Sequence, residues 1–179
     1  MELLISIFIG IIRWISNGLL VSLLGIGVYV LFKKRTLNDL AVDKLFHWSV
    51  KIFLVYSIIV SLDSASFFVA MNAFGGKASS TRTLFVALLL FLFSILPAVM
   101  IFLERNRNVS RVRRWAWFAL VLEVAGYVFS IFQSGFFFNG VLSELVTIAA
   151  IMPPVVLLLL VRKKIQNSAP VVTKVASAL

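Results

Sequence analysis

The stretch LFVALLLFLFSILPAVMIFL, Leu84 to Leu103, runs directly into ERNRNVSRVRR, Glu104 to Arg114. Twenty uncharged residues are the length an α-helix needs to cross roughly 30 Å of hydrocarbon. The five arginines behind them are what marks a cytoplasmic connection between spans. Four further apolar stretches of similar kind lie outward from this one, at 14–32, 52–72, 115–134 and 145–161. Together they predict an all-α, polytopic membrane bundle of five transmembrane helices.

Composition agrees with that reading. Of 179 residues, 61 % are apolar and 13 % charged, with a mean hydropathy of +1.07, against a soluble norm near half apolar and a quarter charged. There is no cysteine and one histidine, His47. Disulfide frameworks, thiol nucleophiles, Cys-ligated zinc and iron–sulfur clusters are thereby excluded, as is an H-E-x-x-H site. Neither a metal nor another cofactor is expected, and no catalytic set is visible.

Basic residues give the orientation. Lys33, Lys34, Arg35, Lys44 and Lys51 fall in 33–51, Arg105, Arg107, Arg111, Arg113 and Arg114 in 104–114, and Arg162, Lys163, Lys164 and Lys174 in the tail. These fourteen of the seventeen basic residues would share one side, where Asp39, Asp43 and Glu104 leave a net +11. The positive-inside rule then places the N-terminus outside and the C-terminus inside. Trp48, Trp115 and Trp117 fall at the inner boundary, the depth amphipathic rings prefer. Residues 1–164 form the bundle and 165–179 read as a flexible cytoplasmic tail. A break or bend is expected between Arg13 and Gly18, with an irregular or interfacial N-terminal segment over Glu2 to Ile12, because an unbroken helix over the first 32 residues would be about 48 Å long.

Two carboxylates stand near the middle of spans. Asp63 is accompanied by Ser57, Ser61, Ser64 and Ser66, and Glu123 shares a stripe with Gly126, Ser130 and Gln133. An acid at a helix centre costs about 2.5 to 3.5 kcal/mol on insertion scales, so each faces protein, pairs or is protonated. Two readings fit: an ion or proton path lined by Asp63, Glu123, Ser61, Ser66, Ser130 and Gln133, or interhelical hydrogen bonding that holds the bundle together. Pro97 in the third span and Pro153-Pro154 in the fifth mark helix-break positions, since each removes a backbone donor and frees a carbonyl. Glu123 and Pro154, each about 12 Å from the inner boundary at 1.5 Å per residue, share a level. A broken fifth helix beside the acid is therefore a candidate cation-friendly spot.

Gly18, Ser22 and Gly25 form a small-residue face on the first span, which permits close helix contact within the bundle or between copies. A homo-oligomer is expected. The run Arg105 to Arg114 suits anionic headgroups or an acidic soluble cytoplasmic protein, and Arg107, Arg111 and Arg114 share one face if it is helical. Nucleic acid is not expected as a direct partner. Gly75-Gly76-Lys77-Ala78 lacks the first glycine and the Ser/Thr of a phosphate loop. The expectation is thus a non-enzymatic membrane anchor, sensor or complex subunit in a cytoplasmic (inner) membrane, of bacterial type. A small ion or proton channel using the carboxylates is the alternative.

Overall fold

The computed structural model describes residues 2–33, 38–74, 81–134 and 140–168. Within these, the side chains of 2–6, 8, 9, 67, 68, 70–74, 81–83, 129–134, 140–148, 150, 167 and 168 lie outside the description. The described chain is all α: α1 (Glu2–Phe32), α2 (Asp39–Phe74), α3 (Thr81–Glu104), α4 (Val109–Ser134) and α5 (Gly140–Ser168).

Three of these helices are long and apolar enough to cross a membrane, over Gly10–Phe32, Asp39–Ser66 and Leu84–Glu104. The sequence spans 115–134 and 145–161 coincide with α4 and α5, but run into residues whose side chains lie outside the description. Apolar side chains cover much of the exterior. Trp14 is 82 % and Phe32 88 % exposed, with Val21, Leu84, Phe93 and Val121 among many others turned outward. An apolar surface this extensive is covered by lipid or by other protein, not by water.

α2, α3, α4 and α5 pack as a ring, each against the next, and α2·α5 closes it. α1 lies in the groove between α2 and α5. The ends of α1, α3 and α5 meet the beginnings of α2 and α4, so the basic connections gather at one end of the bundle. The core among the described residues lies in that half. Val42, Phe46, Val50 and Phe53 of α2 recur every three or four residues, the spacing of one helical face. They meet Ile101 of α3, Val112 of α4, Leu157 and Leu160 of α5, and Leu23 and Val30 of α1. Ala98, Ala116 and Ala119 at the same faces let the α3 and α4 backbones approach closely, as small residues do between membrane helices.

Three expectations are corrected. α1 is one continuous α-helix from Glu2 to Phe32, so the chain is not irregular between Arg13 and Gly18. It carries no proline there, and its residues 10–32 alone, about 35 Å of helix, suffice to cross. The connection 33–51 is mostly helix, because Asn38 caps α2: its Oδ1 accepts from the Ala41 amide at 3.0 Å, and its carbonyl from Val42 at 3.1 Å. At the other terminus α5 continues to Ser168, so the first residues of the expected tail are helical. Residues 169–179 lie outside the described residues.

The small-residue face of α1 packs on nothing among the described residues. A Cβ added at Gly18 or Gly25 meets nothing within 4 Å, and the exposed Ser22 donates its hydroxyl to the Gly18 carbonyl at 2.8 Å. Gly27 makes the close approach instead: a Cβ there would sit 2.7 Å from Cγ2 of Val156 on α5.

Candidate functional site

Two places carry polar chemistry: the basic end and a cavity around Glu123.

At the basic end the α3–α4 turn is a tightly built element. The Glu104 carbonyl ends α3 by accepting from the amides of Arg107 and Asn108, both at 3.0 Å. Asn108 then starts α4, its Oδ1 accepting from the Ser110 amide at 3.0 Å, the Arg111 amide at 3.1 Å and the Ser110 hydroxyl at 2.7 Å. Replacing Asn108 by alanine is expected to cost about 1 kcal/mol of stability, the usual worth of an N-cap. Thermal unfolding in detergent, followed by tryptophan fluorescence, checks this; an unchanged midpoint would remove the cap's role.

The arginines of this run do different things. Arg111 pairs with Glu104 at 3.1 Å, and Arg105 donates to the Phe102 carbonyl while its guanidinium lies 3.7 Å over the Phe102 ring. Arg107, Arg113 and Arg114 make no ion pair with a described residue. Because α4 begins at Val109, Arg107 lies in the turn and does not share a helical face with Arg111 and Arg114. That expectation is corrected, and the helical arginines divide between two grooves. Arg111 and Arg114 line one of about 550 Å³ between α3 and α4, beside Glu104 and Trp115. Arg113 lines another of about 470 Å³ between α4 and α5.

Across the same end, Lys164 of α5 reaches Asp43 of α2 at 2.5 Å and lies 4.9 Å over the Phe46 ring. Asp43 also has His47 Nε2 at 4.0 Å. Asp43 and Glu104, two of the three acids at this end, are therefore engaged within the chain.

The second place sits directly on the packed core. Phe53 and Ala119, both core residues, form its floor, and Ser57, Phe93, Ser94, Pro97, Glu123 and Gly126 line the rest of a cavity of about 220 Å³. Glu123 is half-buried here between α2, α3 and α4. α3 continues through Pro97 as one helix. A proline there leaves the carbonyl four residues earlier, that of Phe93, without its helical donor. Ser94 turns its hydroxyl to the Leu90 carbonyl at 2.8 Å. The cavity thus brings an acid to the level at which Pro97 interrupts the α3 hydrogen-bond ladder.

The proline partner is not the one expected. α5 also runs through Pro153 and Pro154, both fully buried, and neither lines the Glu123 cavity. Glu123 and Gly126 face α2 and α3, whereas Arg113, Trp117 and Leu120 present the α4 face that meets α5. Counting from the Glu104–Arg111 pair would have found Pro97. Eleven residues back along α3 reach Phe93, and twelve forward along α4 reach Glu123, which puts them on one level.

Asp63 and Ser66 do not line that cavity, and Ser61 is buried on α2. The side chains of Ser130 and Gln133 lie outside the described residues. Between Glu123 and the basic end, Ser49 is a polar side chain buried in the apolar core, and its hydroxyl has no hydrogen-bond partner among the described residues. Nor do three metal-ligating side chains gather anywhere among those residues.

The described residues define an all-α architecture with three helices long and apolar enough to cross a membrane and a strongly basic end. Comparison with protein-family models, curated proteins and solved structures finds no match.

Proposed function

We propose that the chain is a non-enzymatic, self-associating component of a cytoplasmic membrane, of bacterial type. Its five helices cross with the N-terminus outside, and its arginine-rich inner face engages an acidic soluble protein as anchor, sensor or complex subunit. The reading rests on the charge balance of the α3–α4 turn. Glu104 is already taken by Arg111, while Arg107 stands exposed on a turn held rigid by Asn108 and Arg114 stands exposed on the first turns of α4, neither with an ion pair among the described residues. Uncompensated guanidiniums on a pre-organised element favour an anionic partner, since little ordering entropy remains to be lost on binding.

The test is native mass spectrometry after purification in a gentle detergent. Arg107→Gln with Arg114→Gln is expected to remove a stoichiometric acidic partner, while the mass of the homo-oligomer stays unchanged. A partner retained by the double variant, or none bound to the wild type, would overturn the reading. Self-association across the Gly18, Ser22 and Gly25 face is supported by the space left open there.

The Glu123 cavity favours a second reading, a small ion or proton conductor, because an acid and a released carbonyl both attract cations. Against it stands the apolar layer of Phe46, Phe53, Ile101 and Leu157 on the basic side of that cavity. In reconstituted liposomes, Glu123→Gln and Asp63→Asn are expected to leave ion flux at the protein-free level, where the wild type also lies. Wild-type flux that falls in either variant would establish the conductor instead.

A further inference from the structure

The groove between α4 and α5 is polar at one end only. Its mouth carries Arg113 of α4 with Arg162 and Gln166 of α5, and none of the side chains lining it is acidic. Its inner walls are Leu120 on α4 and Val155 and Leu159 on α5, with Trp117 between mouth and interior. The two helices run in opposite directions, and the register matches across them. Leu120 lies seven residues beyond Arg113 and Val155 seven residues before Arg162, about 10 Å deep on each wall. With Arg113 and Arg162 lining the same groove, the matched spacing puts these two residues at one level and the apolar walls at another.

We propose that this groove is a binding site for one anionic phospholipid from the leaflet at the basic end. Two guanidiniums offer several N–H donors to a phosphate in the fork geometry it accepts. The apolar trough below would hold the upper part of an acyl chain. Trp117, 55 % exposed, stands at the boundary where an indole suits both layers. The volume, about 470 Å³, is within the range of sites that enclose a small-molecule portion. The neighbouring groove between α3 and α4 lacks this polarity, because Glu104 stands beside Arg111 in its lining. The proposal assumes only that the bundle lies in a membrane. It is independent of any soluble partner, since the assay uses the purified chain alone.

The experiment is native mass spectrometry of the delipidated protein titrated with phosphatidylglycerol or phosphatidylcholine. The first bound phosphatidylglycerol is expected to exceed phosphatidylcholine by about thirtyfold, from two basic groups near the headgroup. In Arg113→Gln with Arg162→Gln that preference is expected to vanish, while Lys44→Gln, a single charge removed from the same end, keeps it. Leu120→Trp fills the trough with both arginines intact and is expected to abolish the preference as well. Millimolar inorganic phosphate should not compete. Equal binding of the two lipids by the wild type would overturn the proposal. Preference retained in Leu120→Trp would assign it to surface charge alone, and competition by phosphate would make this a free-anion site. If the double arginine variant does not fold, the wild-type comparison and Leu120→Trp decide the matter.

Discussion

Phe46→Ala is expected to lower stability by about 3 to 5 kcal/mol, the cost of emptying an aromatic position in a packed core. Phe46 has no solvent exposure and stands where α2 meets the other helices of the core. Inside a bilayer a lipid tail is as apolar as the partner side chain, so such a residue contributes chiefly through close contact, which a cavity removes. The substitution also strips Lys164 of the ring beneath its ammonium. For a chain of this size the midpoint of thermal unfolding should fall by roughly 10 °C. Leu92→Ala, on an exposed position of α3, should leave it nearly unchanged. Equal shifts for the two would contradict the core described above.

Gly27→Val is expected to be the second-largest effect, about 1 to 3 kcal/mol, as for other overpacked sites. The added Cβ would sit 2.7 Å from Cγ2 of Val156. That methyl cannot swing away cheaply, because a β-branched side chain in a helix is held in one rotamer. α1 must therefore move off α5. Gly25→Val, two residues earlier on an open face, is expected to leave the unfolding midpoint unaltered. Val156→Ala should partly rescue Gly27→Val, giving a coupling of about 1 kcal/mol in a double-mutant cycle. Additive effects would mean that the two positions do not touch.

These two positions also show how far the sequence could be read. Runs of uncharged residues such as 84–103 identify helices because hydrocarbon tolerates no unpaired backbone, and all five expected helices are present. Their ends were harder to find. Residues 39–51 looked like a loop because Asp39, Asp43, Lys44 and Lys51 dilute the hydropathy. The cap at Asn38 and the Val42, Phe46, Val50 spacing nevertheless marked a helix. Interior prolines and glycines were visible, but which neighbour each one meets is a matter of three-dimensional register. Gly18 and Gly25 have the spacing of a helix-packing motif and pack on nothing among the described residues, whereas Gly27 has no motif and makes the contact. Pro97 and Glu123 are brought together by the α3–α4 turn, which the Glu104–Arg111 pair fixes at one end. The division of the arginines between two grooves was equally hidden, since it depends on where α4 begins.

In the proposed topology the basic end faces the cytoplasm, with five helices crossing between it and the other side. The chain contains no cysteine, so single thiols can be introduced without a competing background. Asn106→Cys and Gln166→Cys mark the basic end, and Ser79→Cys and Asn139→Cys mark the connections between α2 and α3 and between α4 and α5. Intact cells treated with a membrane-impermeant maleimide are expected to be labelled at positions 79 and 139, and at 106 and 166 only after permeabilisation. Labelling of 106 or 166 in intact cells, or protection of 79 or 139, would contradict the topology.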